Sequence, residues 1–148
     1  MASDLSARLR RLESCVLLLG EMHGRLRYLQ PTVQGLVSAL AAQHRFSGLP
    51  FLKESARLML KGQEFSSGWR EALKAHEGIL GKEEAAILAS LGDVLGQSDL
   101  DSQLAAIDLA RVQLEQRIEG ARKKVMAQGS LYRSIGALGG VAAAIILL

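Results

Sequence analysis

The chain has 148 residues, 49% of them apolar but only 4% aromatic, with one cysteine, two prolines and a net charge of +3. That length suits one domain with a real core, and a lone cysteine excludes both an intramolecular disulfide framework and a cysteine-rich zinc site. Leu, Ala, Glu, Arg and Gln dominate and periodic β-branched runs are absent, so the fold class is all-α.

In chain order, Leu5, Leu9, Leu12, Val16, Leu19 and Leu26 follow the 4-3 spacing of an amphipathic helix, expected from about Asp4 to about Leu29. His23 fills a position the pattern reserves for an apolar residue, and a boundary histidine with a hydrogen-bond partner is expected there. Arg8, Arg10, Arg11, Arg25 and Arg27 occupy the polar side and form a candidate partner surface. Pro31 breaks this helix and suits the first turn of the next, which carries Val33, Leu36, Val37, Leu40 and Ala41. Pro50 starts a third helix with Leu52, Ala56, Met59 and Leu60, which Gly62 terminates. Ser66-Ser67-Gly68 is expected to cap a fourth helix bearing Trp69, Ala72, Leu73 and His76.

Beyond the Gly78–Gly81 junction, Lys82-Glu83-Glu84 places acids in the first turn of a fifth helix, where they complement the helix dipole. Ser98 with Asp101 three residues on resembles a capping box that opens a long sixth helix. Leu100, Leu104, Ile107, Leu114, Ile118, Ala121 and Val125 continue it at helical spacing, with Arg111 at the edge of the seam. The architecture expected is a six-helix bundle whose last helix runs on into a C-terminal apolar segment.

The chain thus divides into a helical body, residues 1–130, and an apolar helix, residues 131–148, a candidate transmembrane anchor. Eighteen residues from Leu131 span roughly 27 Å as a helix, just short of a hydrocarbon core of about 30 Å. Tyr132 can sit at the interface, and Arg122, Lys123, Lys124 and Arg133 flank the segment as basic residues do at a membrane surface. Between Arg111 and Arg133 six basic residues stand against two acidic ones, whereas the rest of the chain sums to −1. Gly136 and Gly140 share a face with Ala144, a spacing that lets helices approach closely in lipid. Burial of the tail against protein, in the same chain or another copy, is the alternative.

Catalytic chemistry is not visible. His23, His44 and His76 lie in different elements, and no metal-ligand or phosphate-cradling spacing occurs, so neither metal nor cofactor is expected. Cys15 beside the apolar stripe reads as a packed thiol. A nucleic-acid binder is disfavoured by the few aromatic residues and the absence of a recognition module. Met1-Ala-Ser-Asp leads into the amphipathic pattern, not the apolar core of a cleavable signal.

Three stretches carry a resemblance: Gly68-Trp-Arg-Glu-Ala-Leu73, Leu91-Gly-Asp-Val-Leu-Gly-Gln-Ser-Asp99 with Gln103, and Leu131-Tyr-Arg-Ser-Ile-Gly-Ala-Leu-Gly-Gly140. The motif residues are Trp69, Gly92, Gly96, Ser98, Asp99, Gln103, Tyr132, Gly136, Gly139 and Gly140. Together they resemble the stage III sporulation protein AB family of endospore-forming bacteria. That family is similar in turn to the cytoplasmic domain of the inner-membrane platform protein of type II secretion and type IV pilus machines. The resemblance implies a non-enzymatic part of the channel complex joining mother cell and forespore. It would be an adaptor for a secretion-type ATPase (stage III sporulation protein AA), with other channel components as further partners and a homo-oligomer possible. Its place would be the mother-cell membrane around the forespore, with the body facing the cytoplasm. Members of that family usually begin with a transmembrane helix, whereas this sequence opens on the Leu5–Leu26 helix, so the expectation is an anchor either trimmed or lacking. A soluble helical adaptor or oligomerisation module, its tail packed on protein, is the rival reading.

Overall fold

Two long helices, α1 (Ala2–Leu29) and α7 (Leu100–Gly136), pack side by side and carry the rest of the chain on one flank. The computed structural model describes the backbone of residues 2–136 and the side chains of residues 5–124 and 126. Helices α2 (Val33–Ala41), α3 (Pro50–Leu60), α4 (Phe65–Ala75), the one-turn α5 (Glu77–Leu80) and α6 (Lys82–Ala89) lie between them in sequence. Short 3-10 turns occur at His44–Phe46 and Ser90–Asp93, and no strand occurs among the described residues.

The two long helices run antiparallel, as their cross-contacts show. Glu13 faces Arg122 at 3.5 Å, a Cβ on Gly20 would lie 3.8 Å from the Arg111 guanidinium, and His23 meets Asp108 at 3.4 Å. As the residue number rises along α1 it falls along α7. Buried positions Leu12, Cys15, Leu19, Met22 and Leu26 alternate steps of three and four, as do Ile107, Ala110 and Leu114 with Ile118 one turn on. This is the seam spacing of a coiled-coil-like pair.

The stripe on α1 is wider than periodicity suggested. Cys15, Leu18 and Met22 are fully enclosed, whereas Leu9 and Val16 are half-buried at its margin. The physical reason is that α1 meets α7 on one side and α2 and α5 on the other. His23 lies at the boundary, as expected, with the Asp108 carboxylate 3.4 Å away, and Arg111 sits at the edge of the seam beside Asp108 at 3.2 Å.

Four expectations need correction. The described residues hold seven α-helices where six were expected, because the chain after His76 winds one extra turn, α5, before Gly81. Pro31 precedes α2 instead of opening it; Thr32 is the cap, its hydroxyl accepting from the Gly35 amide at 3.0 Å. Helix α4 starts at Phe65, ahead of the serines expected to cap it, and the Phe65 ring lies 5.3 Å from Trp69. Finally, the cap of α7 is Asp99, whose carboxylate accepts from the Ser102 amide at 3.2 Å and the Ser102 hydroxyl at 2.6 Å. The expected starts of α3 at Pro50 and its end at Gly62 agree with the structure: Gly62 takes φ 98 and its amide reaches the Met59 carbonyl.

Trp69 anchors the smaller helices. It is fully buried, Phe51 meets it edge-on at 5.5 Å, and its indole N–H donates to the Leu88 carbonyl at 2.7 Å. That carbonyl lies near the end of α6, where the helix tightens into the 3-10 turn, so the indole satisfies a terminal acceptor. One buried hydroxyl, Ser55 Oγ in α3, has no partner among the described residues. It lies where α3 and α4 pack closely: a Cβ on Gly68 of α4 would stand 3.4 Å from Leu58 Cβ and 3.8 Å from the Ser55 carbonyl.

Trp69→Phe removes the indole donor while leaving a ring in the core. It should cost about 2 kcal/mol in urea unfolding followed by far-UV circular dichroism; an unchanged midpoint would contradict the anchoring role.

Candidate functional site

The turn between α6 and α7 is built by a clamp. Gly96 takes φ 79, and a Cβ there would stand 2.7 Å from Val33 Cγ2 on α2, so the position needs glycine both for its dihedral and for its space. The Gln103 side chain spans the loop: its Oε1 accepts from the Gly96 amide at 3.2 Å and its Nε2 donates to the Ser98 carbonyl at 2.7 Å. Asp99 then starts α7. The two Ser102 bonds, the hydroxyl first and then the amide, hold its carboxyl below the usual aspartate range. Gly92 packs on Trp69, with a notional Cβ at 3.5 Å from the indole Cδ1. Gly96, Ser98, Asp99 and Gln103 therefore form one clamp, while Trp69 and Gly92 meet at the 3-10 turn that precedes it.

A groove of about 490 Å³ lies against this loop, lined by Leu26, Gln30, Thr32, Val33, Leu100 and Gln103 among others. Gln30 has φ 47, unusual outside glycine, and its amide turns back to the Arg25 carbonyl at 3.1 Å to end α1. Pro31 marked the end of the helix, but not the left-handed conformation of Gln30, which glutamine does not favour. Tyr28 and Leu29 beside it are 78% and 69% exposed, large apolar groups presented to solvent at the same end.

The five arginines of α1 do not form one patch. Arg8 and Arg27 are about 28 Å apart along the helix, at 1.5 Å per residue. Arg25 pairs with Glu21 at 3.1 Å, and Arg27 lies 5.7 Å above the Tyr28 ring. Arg25, and then Arg45 of the first 3-10 turn at 2.8 Å, hold the Glu21 carboxyl below its ordinary range. Arg8, Arg10 and Arg11 stand at the opposite end, beside Arg122, Lys123 and Lys124 of α7, all of them at least partly exposed.

Of the C-terminal motif, Tyr132, Arg133 and Gly136 fall on the α7 backbone, while Gly139 and Gly140 lie outside the described residues. Helix α7 crosses from residue 130 to 131 without a break. None of the described helices is long and apolar enough to cross a membrane.

Among the described residues no cluster of three His, Cys, Asp or Glu side chains is placed to hold a metal ion. Cys15 is fully buried, and burial pushes its thiol up to about 12, far from the reactive thiolate range.

The family profile of stage III sporulation protein AB matches residues 1–148. The chain belongs to the stage III sporulation protein AB family. A solved structure described as stage III sporulation protein AB superposes with a TM-score of 0.68 at 22% identity, over 81% of this chain and 97% of that one. At that identity the likeness speaks for the fold of the helical body. No match is found among curated proteins. The family assignment agrees with the resemblance of the three stretches named above, two of which form the clamp end.

Two outcomes test the clamp. Gly96→Ala should cost about 2 kcal/mol or more, since it adds both backbone strain and a collision with Val33. Gly92→Ala, with its Cβ at ordinary contact distance, should cost under about 1 kcal/mol; equal losses in denaturant titrations would contradict this account. Asp99→Ala should lower the thermal midpoint at neutral pH. Because the folded carboxyl is held below its ordinary value of 3.8, the Asp99 contribution is full above that value and is lost as pH falls through the lower folded value. The difference between wild type and Asp99→Ala should therefore shrink in melts below pH 3.8, and a difference constant with pH would refute the cap.

Proposed function

We propose that the chain is a non-enzymatic, membrane-associated component of the sporulation channel complex between mother cell and forespore. In that role it acts as platform or adaptor for a secretion-type ATPase, stage III sporulation protein AA. Membership of the family supports the sporulation role. The observation that carries the finer reading is the antiparallel α1–α7 pair, which separates two ends. One end gathers basic side chains where α7 leads toward the apolar stretch 131–148. The other carries the clamped motif loop, Arg25, Arg27 and the exposed Tyr28. An adaptor needs this separation, so that one end can meet lipid while the other meets a cytoplasmic partner. Arginine beside an exposed aromatic ring is also the composition that dominates protein interfaces.

A second reading, in which residues 131–148 pack on protein and the chain is a soluble adaptor or oligomer, is favoured by another observation. Leu17, Leu109 and Val112 are 60%, 59% and 48% exposed on the two long helices. Removing residues 131–148 separates the two readings. The first predicts that the truncated chain leaves the membrane fraction with its melting temperature unchanged. The second predicts an unchanged soluble fraction with a lowered melting temperature or a dissociated oligomer. The ATPase arm is tested by co-purification. Arg25→Glu with Arg27→Glu should abolish capture of the ATPase, and undiminished capture would place the contact elsewhere.

A further inference from the structure

We propose that Arg8, Arg10 and Arg11 of α1 join Arg122, Lys123 and Lys124 of α7 in a single collar that contacts an anionic lipid surface. This inference rests on the membrane reading above and names the chemistry that reading needs. In the sequence the two basic groups are more than a hundred residues apart, and only the antiparallel pairing of the long helices brings them together. The Glu13–Arg122 contact fixes the register: Arg10 and Arg11 lie within one turn of Glu13, and Lys123 and Lys124 follow directly on Arg122.

Charge decides what this end can meet. In residues 8–13 and 119–126, six basic side chains stand against Glu13 and Glu119, a net +4. At the other end of the same pair, residues 21–30 and 97–108 hold Arg25 and Arg27 against Glu21, Asp99, Asp101 and Asp108, a net −2. Arg45 and Arg111 offset Glu21 and Asp108 at that end, so the basic excess of the pair is concentrated toward the apolar stretch. Nearby acids offset part of the collar, at Arg122 and beside Arg8, and leave the rest of it. Glu13 engages Arg122, Glu83 of α6 engages Arg117, and a notional Cβ on Gly81 lies near both Glu84 and Arg8. Among the described residues Arg10, Arg11, Lys123 and Lys124 have no ion-pair partner.

Distance agrees with the lipid assignment. Lys124 precedes Leu131 by seven residues, about 10 Å of helix, comparable to the reach of a membrane surface potential at physiological salt. Basic residues so placed each gain roughly fivefold in binding to an anionic bilayer. A nucleic acid would use the same charges, but the collar lies about two turns before an apolar stretch and has no aromatic residue within it.

The test uses the full-length chain and sedimentation with vesicles of phosphatidylcholine, alone or mixed with phosphatidylglycerol. Wild type should bind the mixed vesicles more tightly, with the excess falling as salt is raised. Arg8→Gln, Arg10→Gln and Arg11→Gln combined should reduce that excess by about tenfold or more while leaving binding to neutral vesicles unchanged. Arg25→Gln with Arg27→Gln, at the far end, should leave both unchanged. Equal binding of wild type to the two vesicles, or an excess that survives in the triple variant, overturns the collar and leaves the membrane reading standing. Absence of binding to either vesicle overturns the membrane reading as well. Salt-dependent binding to duplex DNA that the triple variant loses, without any lipid preference, would assign the collar to nucleic acid instead.

Discussion

Everything in this molecule depends on the seam between α1 and α7. The smaller helices are short, and helices of that length are not stable alone in water. They fold by packing: α2 and α5 lie against a second apolar flank of α1, α6 lies against α7 and α4, and α3 and α4 pack on each other with α2 beside α3. Buried Cys15, Leu18 and Met22 fill the angle between the two flanks of α1. The seam also sets direction. By running antiparallel it brings residues 8–13 beside 119–126, and residues 21–30 beside the loop that starts α7. A parallel arrangement of the same two stripes would bury similar area and give neither end its character.

Much of the family-like motif maintains this arrangement. Gln103 holds both sides of the loop, Gly96 allows α2 to come within contact of it, and Asp99 turns the chain into α7. Trp69 and Gly92 fix the other side of the same junction through the Leu88 carbonyl. These residues present no reactive group to a substrate. Their chemistry is that of a fixed corner, which positions Arg25, Arg27, Tyr28 and Leu29 on the adjoining turn. Residue types that read as a signature in sequence are here tied into the architecture by these contacts.

The elements legible in the sequence were those governed by one dominant local rule. The apolar spacing of Leu5–Leu26 and Leu100–Val125 located the two long helices, and Pro50 and Gly62 bounded α3 by backbone geometry alone. Where two local rules compete, the reading slipped. Ser98 and Asp99 are both good caps, and the choice of Asp99 follows from Gln103 taking the Ser98 carbonyl, a contact five residues away. Phe65 entered α4 because its ring packs on Trp69, a tertiary reward that outweighs the capping preference of the serines after it. The end of α1 at Leu29 was legible from Pro31, although the left-handed turn at Gln30 was not. The arginines were the largest loss. They fall on the polar side of one amphipathic helix, but their spacing along it already puts Arg8, Arg10 and Arg11 at one end and Arg25 and Arg27 at the other. What the sequence does not show is that α7 sets Arg122, Lys123 and Lys124 level with the first group.

The account stands or falls on how this hairpin is oriented at a bilayer. Single exposed positions can be tagged with a fluorophore as Arg10→Cys, Lys123→Cys and Tyr28→Cys, one at a time in a Cys15→Ala background, on protein bound to anionic vesicles carrying a headgroup quencher. The structure predicts strong quenching at positions 10 and 123 and little at position 28. Quenching that is equal at all three, or strongest at position 28, would contradict it.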